Sequence, residues 1–397
     1  MAKHIPHIQV DAFPLVDDHF SGVGHYTLGI VSAFDELAAE GKLTYSLISP
    51  RFIADRLKKY DLHHYKKIIR SPIPNRVIRG FMKYHWPFPC DLVLGRGSYY
   101  FPSFLAWPRW FTPASVVVHD VTFLAVPECV DKGNRDYLAR TVPFSIRNAR
   151  NIIAVSEFSK KEMVKYYKLD PKKIAVAHPS IDRRHFYRRS STEIHRVKSK
   201  YDIFSDQYIL SVGNIEPRKN YVRLVDAYTS LPRSFTDKYP LVIVGAGGWN
   251  NHDIKDRIQR AKEQGYRIIH PGKFVEDKDM PALYSGAKLY VFVPIYEGFG
   301  MSPLEAYACG TPVVTSKVAS LPESAGKAAV YVDPFDVPAI ARGIQSTVAL
   351  LDKEPDHFRP AIEKHLRSLN WRTSAEITAA ALTGKPVAYF QRQEDAA

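Results

Sequence analysis

Two adjacent cations and two spaced carboxylates are the side chains whose types and positions best suit an elongated, anionic ligand. Arg218 and Lys219 stand in the run Gly213-Asn-Ile-Glu-Pro-Arg-Lys-Asn220, after an apolar stretch (208–212) and just before a helical pattern (221–229). Two cations beside the positive end of a helix make a site for a diphosphate. Glu297 and Glu305 stand in Tyr-Glu-Gly-Phe-Gly-Met-Ser-Pro-Leu-Glu (296–305), with seven residues between them. Gly298 and Gly300 let the backbone approach a ligand closely. The spacing lets one carboxylate meet the near end of an elongated ligand and the other its far end. In the plainer alternative Glu297 is a solvated loop residue and Glu305 only completes a capping box begun by Ser302.

The elements around these residues alternate between two periods. Residues 289–294 are a short β-branched apolar run, as a buried parallel strand requires. Ser302 as N-cap and Pro303 at the first helical position predict a helix over 303–308, stopped by Gly310, with a strand over 312–315. Strand, glycine loop, helix and strand make a nucleotide-binding half-unit, with anions favoured at the helix N-terminus. Earlier in the chain a strand over 8–13 and the turn Phe20-Ser-Gly22-Val-Gly24-His lead into a helix over 26–39. The amides of Gly22 and Gly24 can there face a phosphate or a substrate hydroxyl. Further strands are expected over 45–49, 115–118, 151–155, 173–177, 208–212, 241–245, 268–271 and 328–332. Helices are expected over 158–167, 221–229, 281–287, 337–351, 356–369 and from Trp371 onward. Residues 183–200 suit a linker or a connecting helix. The strand 115–118 ends in His119-Asp120, where open α/β sheets bind ligands; a core histidine satisfied by a carbonyl is the alternative. Asp120 can orient His119 or meet an acceptor. Ala246-Gly-Gly-Trp249 echoes a dinucleotide fingerprint, but Asn250 occupies the third glycine's place, which argues against NAD.

The stretch 291–316, VFVPIYEGFGMSPLEAYACGTPVVTS, resembles the signature of the retaining glycosyltransferases of family 4, and the resemblance extends from about residue 20 to 382. It implies the GT-B fold: α/β, two facing Rossmann-like domains with a cleft between them and a C-terminal helix crossing back to the first. It implies that Glu297 holds hydroxyls of a donor sugar and Glu305 the ribose hydroxyls of a nucleotide. Arg218 and Lys219 match the family's basic pair on the leaving diphosphate, and His119 a histidine near the reacting carbon. Gly22, Gly24 and Gly213 would lie beside the donor. So would Phe274, in the segment Lys273-Phe274-Val275 that borders the base, and the loop residues Gly298, Phe299, Gly300, Met301 and Ser302. The family usually has a glycine where Ser180 stands in His178-Pro-Ser-Ile-Asp182. By resemblance the reaction retains anomeric configuration and needs neither bound metal nor cofactor. The wording around Arg218 and Glu297 is most like mannosyl- and rhamnosyltransferases of surface polysaccharide, which favours GDP-mannose as donor and a glycan or lipid-linked acceptor.

At 397 residues the chain accommodates two or three domains. The expected division is 1–190 for the acceptor domain, 191–375 for the nucleotide-sugar domain, and 376–397 for a returning helix with a frayed tail. The net charge of +14 falls entirely within residues 1–200, so the two halves face different partners. Ten Lys or Arg between 51 and 86 interleave with aromatics, a mixture suited to a lipid headgroup layer as well as to an ordinary solvated surface. Aromatics at 99–104 and 107–111 suit an acceptor wall or a packed loop. No signal-peptide core or membrane-length apolar run is present, and three separated cysteines suggest reduced thiols, so a cytoplasmic enzyme, peripheral on the membrane's inner face, is expected. No metal-ligand spacing and no RNA-binding module is recognisable, so no nucleic acid is expected. Against the enzyme stand a non-catalytic carbohydrate- or nucleic-acid-binding protein and a nucleotide-sugar epimerase on the same fold.

Overall fold

The computed structural model describes residues 5–17, 22–86, 88–271 and 274–391. Expectations for Phe20, Ser21, Lys273 and the tail 392–397 fall outside these residues. The chain divides into two compact units, the first made of residues 1–125, 132–180 and 370–397, the second of 126–131 and 181–369.

The first unit holds a seven-stranded parallel sheet in the order β3-β2-β1-β4-β5-β6-β7. These strands are β1 (His7–Asp11), β2 (Thr44–Pro50), β3 (Tyr65–Ser71), β4 (Ser98–Phe101), β5 (Ala114–Val118), β6 (Asn151–Ala154) and β7 (Ile174–Val176). β5 reads Ala-Ser-Val-Val-Val and every residue is buried, because helices cover both faces of an all-parallel sheet. The helix Gly22–Ala39 returns from β1 towards β2 and buries Tyr26, Ile30, Phe34 and Leu37. Against it packs the chain's last helix, Trp371–Thr383, capped by the Asn370 side chain on the Thr373 N–H. A Cβ at Gly29 would overlap the Trp371 indole, so only glycine lets the two helices meet there. Arg372 fastens the contact, donating to both Glu40 oxygens at 2.8 and 2.7 Å. The arginine holds the Glu40 carboxyl down at about 2. Ser374 donates to the carbonyl of His178, so the loop where Ser180 replaces a glycine is pinned by this returning helix.

The second unit holds a six-stranded parallel sheet in the order β10-β9-β8-β11-β12-β13. Its strands are β8 (Ile209–Val212), β9 (Leu241–Val244), β10 (Ile268–Ile269), β11 (Leu289–Phe292), β12 (Val313–Ser316) and β13 (Val330–Val332). Strand order reverses between β8 and β11, as it does between β1 and β4 in the first unit. Each sheet is therefore doubly wound, with its switch point at the carboxyl ends of those strands. Residues 183–200 resolve into an extended lead and a helix, Ser191–Lys200, with a capping box between Ser190 and Glu193. Residues 126–131 belong with this unit, where the Trp249 indole donates to the carbonyl of Cys129.

Candidate active site

The loops that leave β8 and β11, on either side of the second switch point, are fastened into one piece. The Ile295 N–H donates to the Arg218 carbonyl at 3.0 Å, and the Arg218 guanidinium donates back to the carbonyl of Tyr296 at 3.1 Å. Asn220, left-handed at φ +63°, spends its amide on the carbonyls of Val293 and Pro334. Gly213 (φ +149°) leaves room for the stem of Lys219: a Cβ there would stand 3.3 Å from Lys219 Cε. Hydrogen bonds between the two loops therefore fix the arginine and lysine before any ligand arrives.

Glu297 lies between the two cations. Its Oε1 is 2.7 Å from Arg218 Nη1 and 2.6 Å from Lys219 Nζ, and the residue is 7% exposed. Burial pushes the Glu297 carboxyl up, but Arg218 and Lys219 outweigh it and hold the group below the usual carboxylate range. Glu297 is thus an ionised side chain in a dry place, not a solvated loop residue. The second Arg218 nitrogen, Nη2, donates to Glu216 Oε1 at 2.7 Å, and Glu216 is buried too. Two carboxylates balance two cations, which offsets the cost of burying Glu216 and Glu297 and leaving Arg218 and Lys219 only partly in water.

Glu305 is placed differently. Its Oε2 accepts from the Tyr284 hydroxyl at 2.7 Å, Tyr284 coming from the helix Met280–Gly286. Burial lifts the Glu305 carboxyl to about 7, well above the usual carboxylate range. The capping box expected between Ser302 and Glu305 is absent. The helix begins one residue early, as Ser302–Ala308, with Met301 in the cap position at φ −74°, ψ −25° and no side chain capping it. Gly300 (φ +81°) turns the chain so sharply that Met301 is already near-helical, and Ser302 lacks the extended backbone a capping hydroxyl needs. A Cβ on Gly300 would stand 3.0 Å from Leu321 Cδ2. Phe299 is buried, whereas Phe274 is 76% exposed, and no described contact joins it to the charged cluster.

In the first unit, His119 follows β5. Its Nε2 is 2.7 Å from the carbonyl of Pro102, and a carbonyl only accepts, so Nε2 carries the proton. Burial lowers its basicity, which keeps the ring neutral with Nδ1 as the acceptor. Tyr26 and Phe104 pack against the ring at 5.2 and 5.4 Å between centroids. Asp120 accepts the Thr122 N–H and starts the short helix Thr122–Ala125. Gly22 and Gly24 are in the first turn of the helix Gly22–Ala39, so their amides belong to a helix N-terminus rather than to a turn before it. The aromatic run at 107–111 is divided: Trp107 is packed against Phe13 and Phe101, while Trp110 and Phe111 are exposed.

Three residues escaped the sequence reading. Glu216 was hidden inside the run of cations it serves, and Tyr284 is joined to Glu305 only by the fold. Asp11 ends β1 at the first switch point; it is buried, accepts the Phe13 N–H, and burial lifts its carboxyl to about 7. An acid at the last position of a strand reading His-Ile-Gln-Val-Asp, where open α/β sheets bind ligands, was the available signal. Among the described residues no three His, Cys, Asp or Glu side chains are grouped as metal ligands, and no helix is long and apolar enough to cross a membrane.

Comparison with known proteins agrees with this architecture. Residues 22–185 match the profile of Glycosyltransferase Family 4, and residues 193–365 that of Glycosyl transferases group 1. The chain belongs to these glycosyltransferases, and its fold is GT-B. Among its relatives is the O-antigen chain mannosyltransferase B of Escherichia coli, 35% identical over 62% of this chain and 64% of that protein. Another is the O-antigen chain mannosyltransferase RfbU of Salmonella typhimurium, 26% identical over 61% of this chain and 62% of that protein. The serotype-specific mannosyltransferase WbdA of Escherichia coli is 32% identical over 53% of this chain, and the match spans only 26% of its length. In fold, the chain is similar to an Anabaena protein, HepE, solved with UDP and glucose. The TM-score is 0.69 at 16% identity, covering 96% of this chain and 100% of the other.

Proposed function

We propose that the protein transfers a mannose-like sugar from a nucleotide-diphosphate donor, GDP-mannose being favoured, to a glycan or lipid-linked acceptor of a surface polysaccharide. Transfer proceeds with retention at the anomeric carbon, without metal or cofactor, on the cytoplasmic side of the membrane. The observation that carries this reading is the Glu297 carboxylate held by Arg218 and Lys219 at the carboxyl ends of β8 and β11. In the reaction the bond from the anomeric carbon to the diphosphate oxygen breaks and a bond to an acceptor oxygen forms. The acceptor's proton passes to the departing phosphate. Charge grows on the diphosphate as the bond breaks, and Arg218 and Lys219 are fixed, desolvated donors for it. Glu297 accepts from sugar hydroxyls and fixes the ring for attack. Glu305 accepts from the ribose, and His119 offers Nδ1 to a sugar hydroxyl. The amides of Gly22, Gly24, Gly213 and residues 298–302 complete the donor contacts, and Phe274 borders the base. The first unit receives the acceptor and the second the nucleotide sugar.

A thermal-shift screen of GDP, UDP and dTDP sugars tests the donor, since a ligand at a hundred times its Kd stabilises by about 2.7 kcal/mol. Release of nucleoside diphosphate on mixing donor with acceptor, and the anomeric coupling of the product, test transfer and retention. If none of these nucleotide sugars raises Tm, the donor assignment is wrong.

A further inference from the structure

The positive half of the chain breaks up on folding. In the block 51–71, Asp55 bridges Lys58 at 2.8 Å and Arg70 at 3.0 Å, and part of that block is the edge strand β3. The tract 75–112 is different. It carries five Lys or Arg and one acid, Asp91. Asp91 is buried and already accepts from the N–H groups of Trp110, Phe111 and Thr112 and from the Thr112 hydroxyl. The tract itself therefore adds no exposed carboxylate to its cations.

Those same Asp91 bonds tie the loop 108–112 to the helix Cys90–Leu94, and the Cys90 N–H donates to the carbonyl of Pro108. Phe81 stacks on Phe88 and meets Trp86 edge-on, which joins the end of the helix Asn75–Lys83 to the same piece. On it Tyr84, Trp86, Leu92, Trp110 and Phe111 are each between 61% and 70% exposed. Five large apolar side chains held outward on one fastened segment have no use in water. Tryptophan and tyrosine beside Lys and Arg are the residues that settle at a lipid headgroup layer.

Beside this segment lies a cavity of about 500 Å³ lined by Arg79, Lys83, Asp136, Tyr137 and Arg140, among others. Three cations face one carboxylate there. The Arg79 guanidinium lies over the Tyr137 ring at 5.2 Å, and the Tyr137 hydroxyl is buried with no hydrogen-bond partner among the described residues. A phosphate oxygen would supply both the missing acceptor and the missing charge.

We propose that this segment docks the protein on an anionic phospholipid bilayer, the exposed aromatics entering the headgroup layer and one lipid phosphate occupying the Arg79–Lys83–Arg140 cavity. The inference deepens the reading above, in which the acceptor can be carried on a lipid, and is tested separately from sugar transfer. Binding is peripheral and reversible, and weakens with salt.

Flotation with phosphatidylcholine vesicles, with and without a share of phosphatidylglycerol, is the experiment. The wild type should float with the anionic vesicles only, with a blue shift of tryptophan emission, and be released by high salt. Arg79→Glu with Arg140→Glu, and separately Trp86→Ser with Trp110→Ser, should each weaken flotation at least about tenfold. Tyr137→Phe should weaken it less. Lys58→Glu with Lys66→Glu makes the same charge change elsewhere in the unit and should leave most of the binding. Nucleoside diphosphate release from GDP-mannose should be unchanged in all of these, so a failure of docking is distinguishable from a failure of the transferase reading. The proposal is overturned if the wild type ignores anionic vesicles at low salt, or if the Lys58 and Lys66 reversal is as damaging as that of Arg79 and Arg140. It is also overturned if inorganic phosphate alone raises Tm through Arg79 and Arg140 while vesicles are not bound, since the cavity then serves a soluble phosphate.

Discussion

Strand order reverses between β1 and β4 in one unit and between β8 and β11 in the other, yet the carboxylates at the two reversals live under different conditions. Glu297, at the second, is ionised because Arg218 and Lys219 each lie within 2.7 Å of it. Asp11, at the first, has a backbone N–H from Phe13 as its described partner and is lifted to about 7 by burial. Topology supplies a crevice in both units, and charge compensation decides which crevice keeps ions. A buried acid with two cations stays an anion, whereas the same acid without them drifts towards neutrality. On the function proposed above, the ionised crevice of the second unit suits a diphosphate, and the first, with neutral His119 and Asp11 lifted towards neutrality, suits uncharged hydroxyls.

The largest effect should come from taking cations out of the compensated crevice. Arg218→Ala or Lys219→Ala should lower turnover at least about tenfold, since a charge-assisted hydrogen bond contributes about 1.5–3 kcal/mol. Turnover is read as nucleoside diphosphate release at saturating donor, with circular dichroism showing an intact fold; near-normal rates in both variants would remove the diphosphate from this site. Removing the anion instead sharpens the contrast. Glu297→Ala leaves Glu216 alone to balance two cations, so it should bind bare GDP at least as well as the wild type while binding GDP-mannose worse. Glu305→Ala should weaken both by roughly tenfold. Calorimetric titration of the four combinations decides, and equal losses of bare GDP in the two variants would contradict the division of roles.

Smaller effects follow from protons. In the proposed role Glu305 accepts from donating ribose hydroxyls, and its ionised form, with two acceptor oxygens and a full charge, serves them better than the neutral acid. Nucleotide affinity should therefore rise severalfold between pH 6 and 8, across the carboxyl's value of about 7. Glu305→Gln should flatten that profile; a profile equally steep in the variant would assign the titration elsewhere. For stability the sign is opposite. The folded state raises the pKa values of Asp11 and Glu305 above their unfolded ones, so it favours their neutral forms. Each costs stability as pH climbs from about 4 towards 7 and no further beyond. Asp11→Asn, permanently neutral, should raise Tm by about a few degrees at pH 8 and leave it nearly unchanged at pH 4. A Tm difference that does not depend on pH would show that Asp11 is not the group lifted.

The unit 289–316 was legible because each signal in it is local: an apolar run, two glycines, a proline and a second apolar run. The helix Tyr221–Thr229 was legible to the residue for the same reason. Ser302 misled because its side chain suits a cap, but the backbone entering it is set by Gly300, and conformation outranks residue type at a cap. Glu216 and Tyr284 were illegible for another reason. Their partners are chosen by the fold, and a glutamate two residues before an arginine has no sequence mark saying that it faces it. Residues 51–86, read as one basic surface, became a 3-10 turn, an edge strand and a helix. Charge composition does not say which cations Asp55 will neutralise.

The seat that Gly29 offers to Trp371 also dictates a schedule. During synthesis the strands of the first sheet leave the ribosome before any of the second, yet the groove along the helix Gly22–Ala39 stays open until the helix Trp371–Thr383 has been made. Tyr26, which packs against that indole at 5.7 Å between centroids, waits through the whole translation of residues 181–369 for its neighbour. The unit begun first is finished last, and its nascent form carries an apolar slot that a chaperone or a misplaced helix can fill in the interval.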